Sequence, residues 1–175
     1  MTATGIHDRD IKIVPLDKNT HDGTSFCSGS DPLDRYFKNQ ASQDVKRRLN
    51  NCFVAVDIAE ENVFGYYTIS SAQILFDDLP ENISKKLPKY PLPAARIGRL
   101  AVDNRHQGKQ IGSILLADAL KRAADSDVAS YAVIVDAKDN TAANFYINYG
   151  FIPFPSNPLL LFLPIATITM LSPKN

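Results

Sequence analysis

The segment Arg105-His-Gln-Gly-Lys-Gln-Ile-Gly112 carries the strongest chemical signal in this sequence. It follows a run with strand character and opens a run with helix character. A loop in that place points successive backbone N–H groups outward at a helix start, where about half a positive elementary charge collects. Gly108 lets a ligand come close to the main chain, since a Cβ there would stand in its way. Arg105 and Lys109 add positive charge. A diphosphate is the natural ligand of such a cradle. The same residues also suit a plain strand-to-helix turn at Gly108, with Gly112 letting the helix pack closely on a sheet. The Gly-Lys-Ser/Thr end of a P-loop is missing. So is the three-glycine dinucleotide fingerprint, for which the segment also comes too late in the chain. Covalent catalysis by a thiol finds no support: Cys27 and Cys52 read as small buried apolar residues, and neither has a neighbouring His. His106 reads as an exposed loop residue. By residue type alone, Tyr146 reads as a packed aromatic beside Phe145.

The elements around this loop follow from period and punctuation. Ile11 to Leu16 alternates until Pro15, which predicts a short edge strand. Asp31-Pro32 predicts a helix with an N-cap acid and a first-turn proline. Leu33, Tyr36, Phe37, Ala41 and Val45 form its apolar face, and Lys38, Asp44 and Arg48 lie elsewhere. Cys52–Asp57 and Val63–Ser71 read as a hairpin. Asp77 to Pro93 holds four prolines and reads as a loop or a short helix. Ala94–Asp103 predicts the central strand. After Asn104–Gln107 a helix runs to about Asp125, burying Leu115, Leu116, Ala119, Leu120 and Ala123 and turning Asp118, Lys121, Arg122 and Asp125 to water. Tyr131–Asp136 predicts a covered strand. Asp139-Asn140 caps a helix to Tyr149 that Gly150 stops. Phe151–Phe154 and Leu159–Met170 read as terminal strands. This order argues an α+β domain with a mixed, mostly antiparallel central sheet flanked by helices.

Composition sets the outer limits. A chain of 175 residues with 45% hydrophobic and 22% charged residues is one ordinary globular domain. We expect it over residues 11–175, after a flexible start at 1–10. Nineteen Lys+Arg balance nineteen Asp+Glu, so whole-chain charge gives no pull toward nucleic acid or membrane. The distribution differs. Lys85 to Lys109 holds seven Lys/Arg against one acid, whereas Cys52 to Ser84 holds six acids and no Lys/Arg. The first stretch predicts a basic band, which Lys46, Arg47 and Arg48 would extend toward a polyanion. Arg96 and Arg99 are its best candidates, because a central strand is a costly place for idle charge. The chain shows no membrane-length apolar run and no signal-peptide core, so it reads as cytoplasmic. No metal site is expected.

The residues also carry a resemblance. Arg105-x-x-Gly108 and Gly112, after the strand Arg99-Leu-Ala-Val-Asp103, are similar to the acetyl-CoA loop of the GNAT N-acetyltransferases, and Asn144-Phe-Tyr-Ile-Asn-Tyr-Gly-Phe151 looks like that family's A-x-x-F-Y-x-x-x-G-F segment. Phe26-Cys-Ser-Gly29, Leu33-Asp-x-Tyr-Phe37, Gly65-Tyr-Tyr-Thr-Ile-Ser70 and Arg96-Ile-Gly-Arg-Leu-Ala-Val-Asp103 resemble the GNAT toxins of toxin–antitoxin pairs. The resemblance implies a GNAT fold with acetyl-CoA as acetyl donor. It implies acetylation of the α-amino group of an aminoacyl-tRNA, which stops translation, and a ribbon-helix-helix antitoxin as partner. An N-acetyltransferase for a small amine or a protein N-terminus is the alternative, and a non-catalytic module is a third reading. A homodimer through Leu159–Met170 is possible, unless that segment is an internal strand.

The resemblance also implies roles. Main-chain groups of Leu100, Ala101 and Val102 would bind the pantetheine arm as a neighbouring strand. Arg105 and the amides of Gln107, Gly108, Lys109, Gln110, Ile111 and Gly112 would hold the diphosphate. Gln110 departs from the family's usual Gly or Ala, and its side chain is expected to point to solvent from the helix's first turn. Tyr146 takes the place of the catalytic tyrosine. Asn140 and Asn144 would touch the cofactor, although Asn140 is equally a helix cap. Arg96, Arg99, Lys46, Arg47 and Arg48 would meet the acceptor. No dedicated base is evident; Asp103 and Asp136 read as cap or turn residues.

Overall fold

The structure, a computed structural model, describes residues 10–171. The flexible start expected over 1–10 lies outside the described residues apart from Asp10. Strands β1 (Ile11–Pro15), β2 (Asn51–Asp57), β3 (Val63–Ile74), β4 (Leu92–Val102), β5 (Ala132–Asp136), β6 (Ile152–Phe154) and β7 (Asn157–Pro164) form a sheet in the order β1-β2-β3-β4-β5-β7-β6. The helices are α1 (Asp31–Asn39), α2 (Ala41–Lys46), α3 (Glu81–Ser84), α4 (Ile111–Asp125), α5 (Asn140–Asn148) and α6 (Ile165–Leu171). The β1/β2, β2/β3, β5/β7 and β6/β7 pairs are antiparallel and β4/β5 is parallel, so the expected mixed, mostly antiparallel α+β sheet is found. Two compact units make up the chain. One holds the chain up to Ile69 with Arg99–Ala119, and the other holds Ser70–Gly98 with the chain from Leu120 on.

In the first unit an aromatic stack fills the space under β2 and β3. Tyr66 stacks on Phe37 with ring centroids 4.6 Å apart, and Phe26 meets their edges at 5.6 and 5.0 Å. The Tyr66 hydroxyl, which would otherwise be a costly polar burial, donates to the Leu33 carbonyl at 2.7 Å. Each buried ring of this kind contributes roughly 1.5–3 kcal/mol. Cys52 lies in the same core, where burial pushes its thiol up to about 12 and leaves it inert.

Helix α1 presents the expected face but differs in two ways. Its N-cap is Ser30, one residue earlier than expected, with Asp31 and Pro32 in the first turn. It also ends at Asn39, because Gln40 leaves helical geometry at φ −124° before α2 begins. The Gln40 side chain then donates to one oxygen of Asp44 at 2.9 Å, and the Tyr36 hydroxyl donates to the other at 2.8 Å. Asp44, expected among the outward residues, is therefore buried. Asp118 of α4 likewise accepts the Tyr67 hydroxyl at 2.5 Å rather than facing only water.

In the second unit β5 is covered from Ala132 to Val135, as its β-branched run predicts. Strand β7 pairs with β5 on one edge and β6 on the other. The terminal strand expected to reach Met170 stops at Pro164. Its partner β5 starts at Ala132, opposite Pro164, and the Ile165 amide donates to the Tyr131 carbonyl at 2.9 Å. Beyond that point no ladder is left, and the backbone satisfies itself as α6. Both edges of β7 being occupied, the strand is internal and not a dimer edge.

Gly65 lets β3 lie tightly against the end of β4: a Cβ there would stand 2.7 Å from the Ala101 carbonyl oxygen and 2.9 Å from a Leu115 methyl. Gly65→Ala is expected to lower the unfolding free energy by about 1–3 kcal/mol, as overpacking does, measured by denaturant titration.

Candidate active site

The end of β4 and the loop after it are held by one carboxylate. Asp103 is 1% exposed and caps the 3-10 turn Asn104–His106. It accepts from the Arg105 amide at 2.9 Å, from Arg105 Nε and Nη2 at 2.9 and 3.1 Å, and from the Cys27 amide at 3.2 Å. Burial opposes its ionisation, but these donors outweigh burial and hold the carboxyl below its ordinary value. Arg105, expected at the diphosphate, thus has its guanidinium on Asp103.

The segment Phe26–Gly29 buttresses the loop from its other side. The Asn104 amide donates to the Cys27 carbonyl at 2.7 Å, and the Gln107 side chain donates to the carbonyls of Ser28 and Val102 at 2.9 and 3.1 Å. Ser28 is in turn bonded to Asp34 of α1 through its amide (2.9 Å) and hydroxyl (2.6 Å). Sequence reasoning saw this motif without a mechanical role for it. Cys27, expected buried, is exposed, while its amide, carbonyl and sulfur all bond the turn after β4. His106, expected exposed, is half-buried edge-on to Phe64 at 4.4 Å; burial, aided by Lys109, lowers its pKa and keeps the ring neutral.

The cradle itself has the backbone the glycine pattern implies. Gly108 has φ +77° and open space where a Cβ would be, so its positive φ is what demands glycine here and a ligand has room to approach. Gln107, Gly108, Lys109 and Gln110 are exposed, while Ile111 is buried and anchors the start of α4. Gln110 has φ +65° and lies just before α4, so it is not in the helix's first turn as expected. The left-handed conformation explains why glycine suits this place.

Strand β4 supplies a second feature. Its parallel ladder with β5 covers Ala94–Ile97 only, which leaves the main-chain groups of Leu100, Ala101 and Val102 outside that ladder. Arg99 lies with its guanidinium 3.5 Å from the centroid of the Tyr36 ring. Lys46, Arg47 and Arg48 are exposed at the end of α2, and Arg48 has φ +61°.

In the second unit α5 carries the tyrosine. Asp139 is its N-cap, accepting from the Ala142 amide at 2.8 Å, so Asn140 is the first helical residue and not the cap. Asn140 and Asn144 are both exposed, and Gly150 at φ +93° closes the helix in the expected place. Tyr146 is 5% exposed, with its ring edge-on to Phe145 (5.2 Å) and Phe151 (5.5 Å). Burial raises its pKa, and the Asp136 carboxylate raises it further, so the phenol is held as a proton donor. The hydroxyl makes no hydrogen bond to another described residue. Arg96 donates from Nε and Nη2 to the two oxygens of Asp136 at 2.6 and 2.8 Å.

The cradle gives a test on its own. Gln110→Val, a branched residue forced to positive φ, is expected to cost about 1–2 kcal/mol and to weaken acetyl-CoA binding, whereas Gln110→Gly keeps both; thermal melts and titration calorimetry measure the two.

The chain is similar to proteins of known family. Residues 31–159 match the family model described as an acetyltransferase (GNAT) domain. The probable toxin TacT of Sinorhizobium fredii is 36% identical, with 98% of this chain and 99% of that protein covered. The tRNA-acetylating toxin of Mycobacterium tuberculosis is 36% identical over 81% of this chain and 85% of its own length. Among solved structures, AtaT complexed with acetyl-methionyl-tRNAfMet superposes with a TM-score of 0.85 at 27% identity, covering 93% of this chain and 99% of that one. Because the family model is matched over residues 31–159, most of the chain, the chain belongs to the GNAT acetyltransferase family.

Proposed function

We propose that this enzyme transfers the acetyl group of acetyl-CoA to the α-amino group of an aminoacyl-tRNA, and that it acts in the cytoplasm as a translation-blocking toxin. The observation that carries the chemistry is Tyr146: a buried phenol, kept protonated by its surroundings, whose hydroxyl has no partner among the described residues. The relatives named above support the acceptor. In the reading we favour, residues 11–175 act as one acetyltransferase domain, with a ribbon-helix-helix antitoxin as its neutralising partner.

Each part of the reaction then has a residue. The amides of Gln107 to Gly112 take the diphosphate of the donor, with Lys109 adding charge. Main-chain groups of Leu100, Ala101 and Val102 that lie beyond the β4–β5 ladder take the amide-bearing pantetheine arm in place of a strand, and Asn140 and Asn144 offer polar side chains to the donor from α5. The neutral α-amine attacks the thioester carbonyl, and the tetrahedral adduct collapses by breaking the C–S bond. The thiolate leaving group takes the Tyr146 proton, and the proton lost from the new amide nitrogen passes to solvent, which restores the phenol. No strong base is needed, because the ester beside an aminoacyl amine makes that amine less basic than an ordinary one. The exposed Lys46, Arg47 and Arg48, with Arg99, offer cationic groups to the tRNA backbone.

Labelled acetyl-CoA incubated with total charged tRNA is expected to label the α-amine, so that ester hydrolysis releases N-acetyl amino acids. Unlabelled charged tRNA beside an acetylated small amine or protein N-terminus would overturn the acceptor. Tyr146→Phe should lower kcat by about 10²–10⁴ while leaving the fold intact, and should relieve growth arrest on expression. Because a general acid must stay protonated and the Tyr146 pKa is raised, the wild-type kcat should show no descending limb up to about pH 9, read from single-turnover rates.

A further inference from the structure

The two arginines of β4 are in opposite states. Arg96 has both oxygens of Asp136 on its Nε and Nη2, so its charge and its fork are occupied within the chain. Arg99, three residues on and half-buried, meets no acceptor among the described residues. One face of its guanidinium lies on the Tyr36 ring at 3.5 Å. The stack leaves the N–H edges, which do the hydrogen bonding, free.

Tyr36 is itself fixed before the arginine reaches it. Its hydroxyl donates to Asp44 at 2.8 Å and accepts from the Asn50 side-chain amide at 2.8 Å, while Gln40 bonds the second Asp44 oxygen at 2.9 Å. Tyr36 and Asp44 are both buried, and burial raises the Tyr36 pKa, so the phenol stays a donor. A phenol that donates to a carboxylate gains electron density in its ring, and an electron-rich ring attracts a cation more strongly. Asp44 thus acts on Arg99 in two ways, through the ring and by its own nearby charge, and in neither does it accept a hydrogen bond from the guanidinium. The nearby Asp44 charge eases the burial of the cation, but the guanidinium N–H groups still lack an acceptor, and a bidentate anion supplies one.

We propose that Arg99 is a clamp for one phosphate group, gripped through the free edge of its guanidinium, and that Tyr36 and Asp44 are the positioning residues that hold it flat. Two phosphates share this chemistry, one in the backbone of the polynucleotide acceptor and one in the coenzyme. The first source rests on the acceptor proposed above; the clamp itself does not.

The test measures KM for charged tRNA at saturating acetyl-CoA over a range of salt, and the acetyl-CoA dissociation constant by calorimetry, for Arg99→Gln, Arg99→Lys, Tyr36→Phe and Asp44→Asn. Arg99→Gln should raise one of the two constants about tenfold. If the charged-tRNA constant rises, the slope of log(kcat/KM) against log salt should also become shallower by about 0.7–0.9, the loss of one phosphate contact, and the phosphate is the acceptor's. If the acetyl-CoA constant rises instead, the phosphate is the coenzyme's. Arg99→Lys should recover the salt slope but not the full affinity, because an ammonium has neither the fork nor the flat face. Tyr36→Phe and Asp44→Asn should raise the same constant by a smaller factor with Arg99 unchanged. A folded Arg99→Gln protein with both constants and the salt slope at wild-type values would overturn the clamp, and positioning variants that shift only the melting temperature would overturn the roles of Tyr36 and Asp44. A wild-type enzyme that leaves charged tRNA unmodified would remove the acceptor reading alone, and the calorimetric arm would still decide the clamp.

Discussion

The buried charge of Asp103 is the constraint on which the loop between β4 and α4 depends. A carboxylate with almost no access to water is tolerable only if donors surround it, and here the donors come from Arg105 and the Cys27 amide. Meeting that demand ends β4, closes the turn after it, and draws Phe26–Gly29 alongside. The same strap delivers Phe26 into the aromatic core and ties through Ser28 to Asp34. One ion therefore couples the packing of the first unit to the shape of the cradle.

Arginine does three different jobs within ten residues of one another. Arg96 neutralises Asp136, whose charge acts on Tyr146; Arg105 neutralises Asp103; Arg99 is stacked on an aromatic face. A count of basic residues along the segment treats the three alike. Their partners distinguish them, and the partners lie as far as 63 residues away in the chain (Tyr36 to Arg99).

Local features were legible in the sequence. The strands of the hairpin, the covered β5, the helix closed by Gly150 and the glycine-containing cradle all follow from period, capping and backbone preference, and each was found within a residue or a few of its expected bounds. What escaped depends on tertiary partners. Asp44 and Asp118 read as water-facing because their own helices place them off the apolar stripe, yet tyrosines on other elements reach them. Cys27 reads as buried by type and is exposed, while its amide, carbonyl and sulfur all bond the turn after β4. The strand expected to Met170 looks continuous in apolarity, but the length of β5 decides where a ladder can stop. The positive φ of Gln110 goes against its side chain, so no propensity reveals it.

The short β4–β5 ladder has an effect outside catalysis. Past Ile97 the β5-facing side of β4 is outside that ladder, and a strand side of this kind is open to an extended peptide of suitable register. In the reading favoured here the thioester carrier covers that edge while it is bound, so it acts as a blocking strand as well as a reactant. A cell depleted of the carrier would then hold this chain in its stickiest form, the one most prone to pair with foreign segments or with itself.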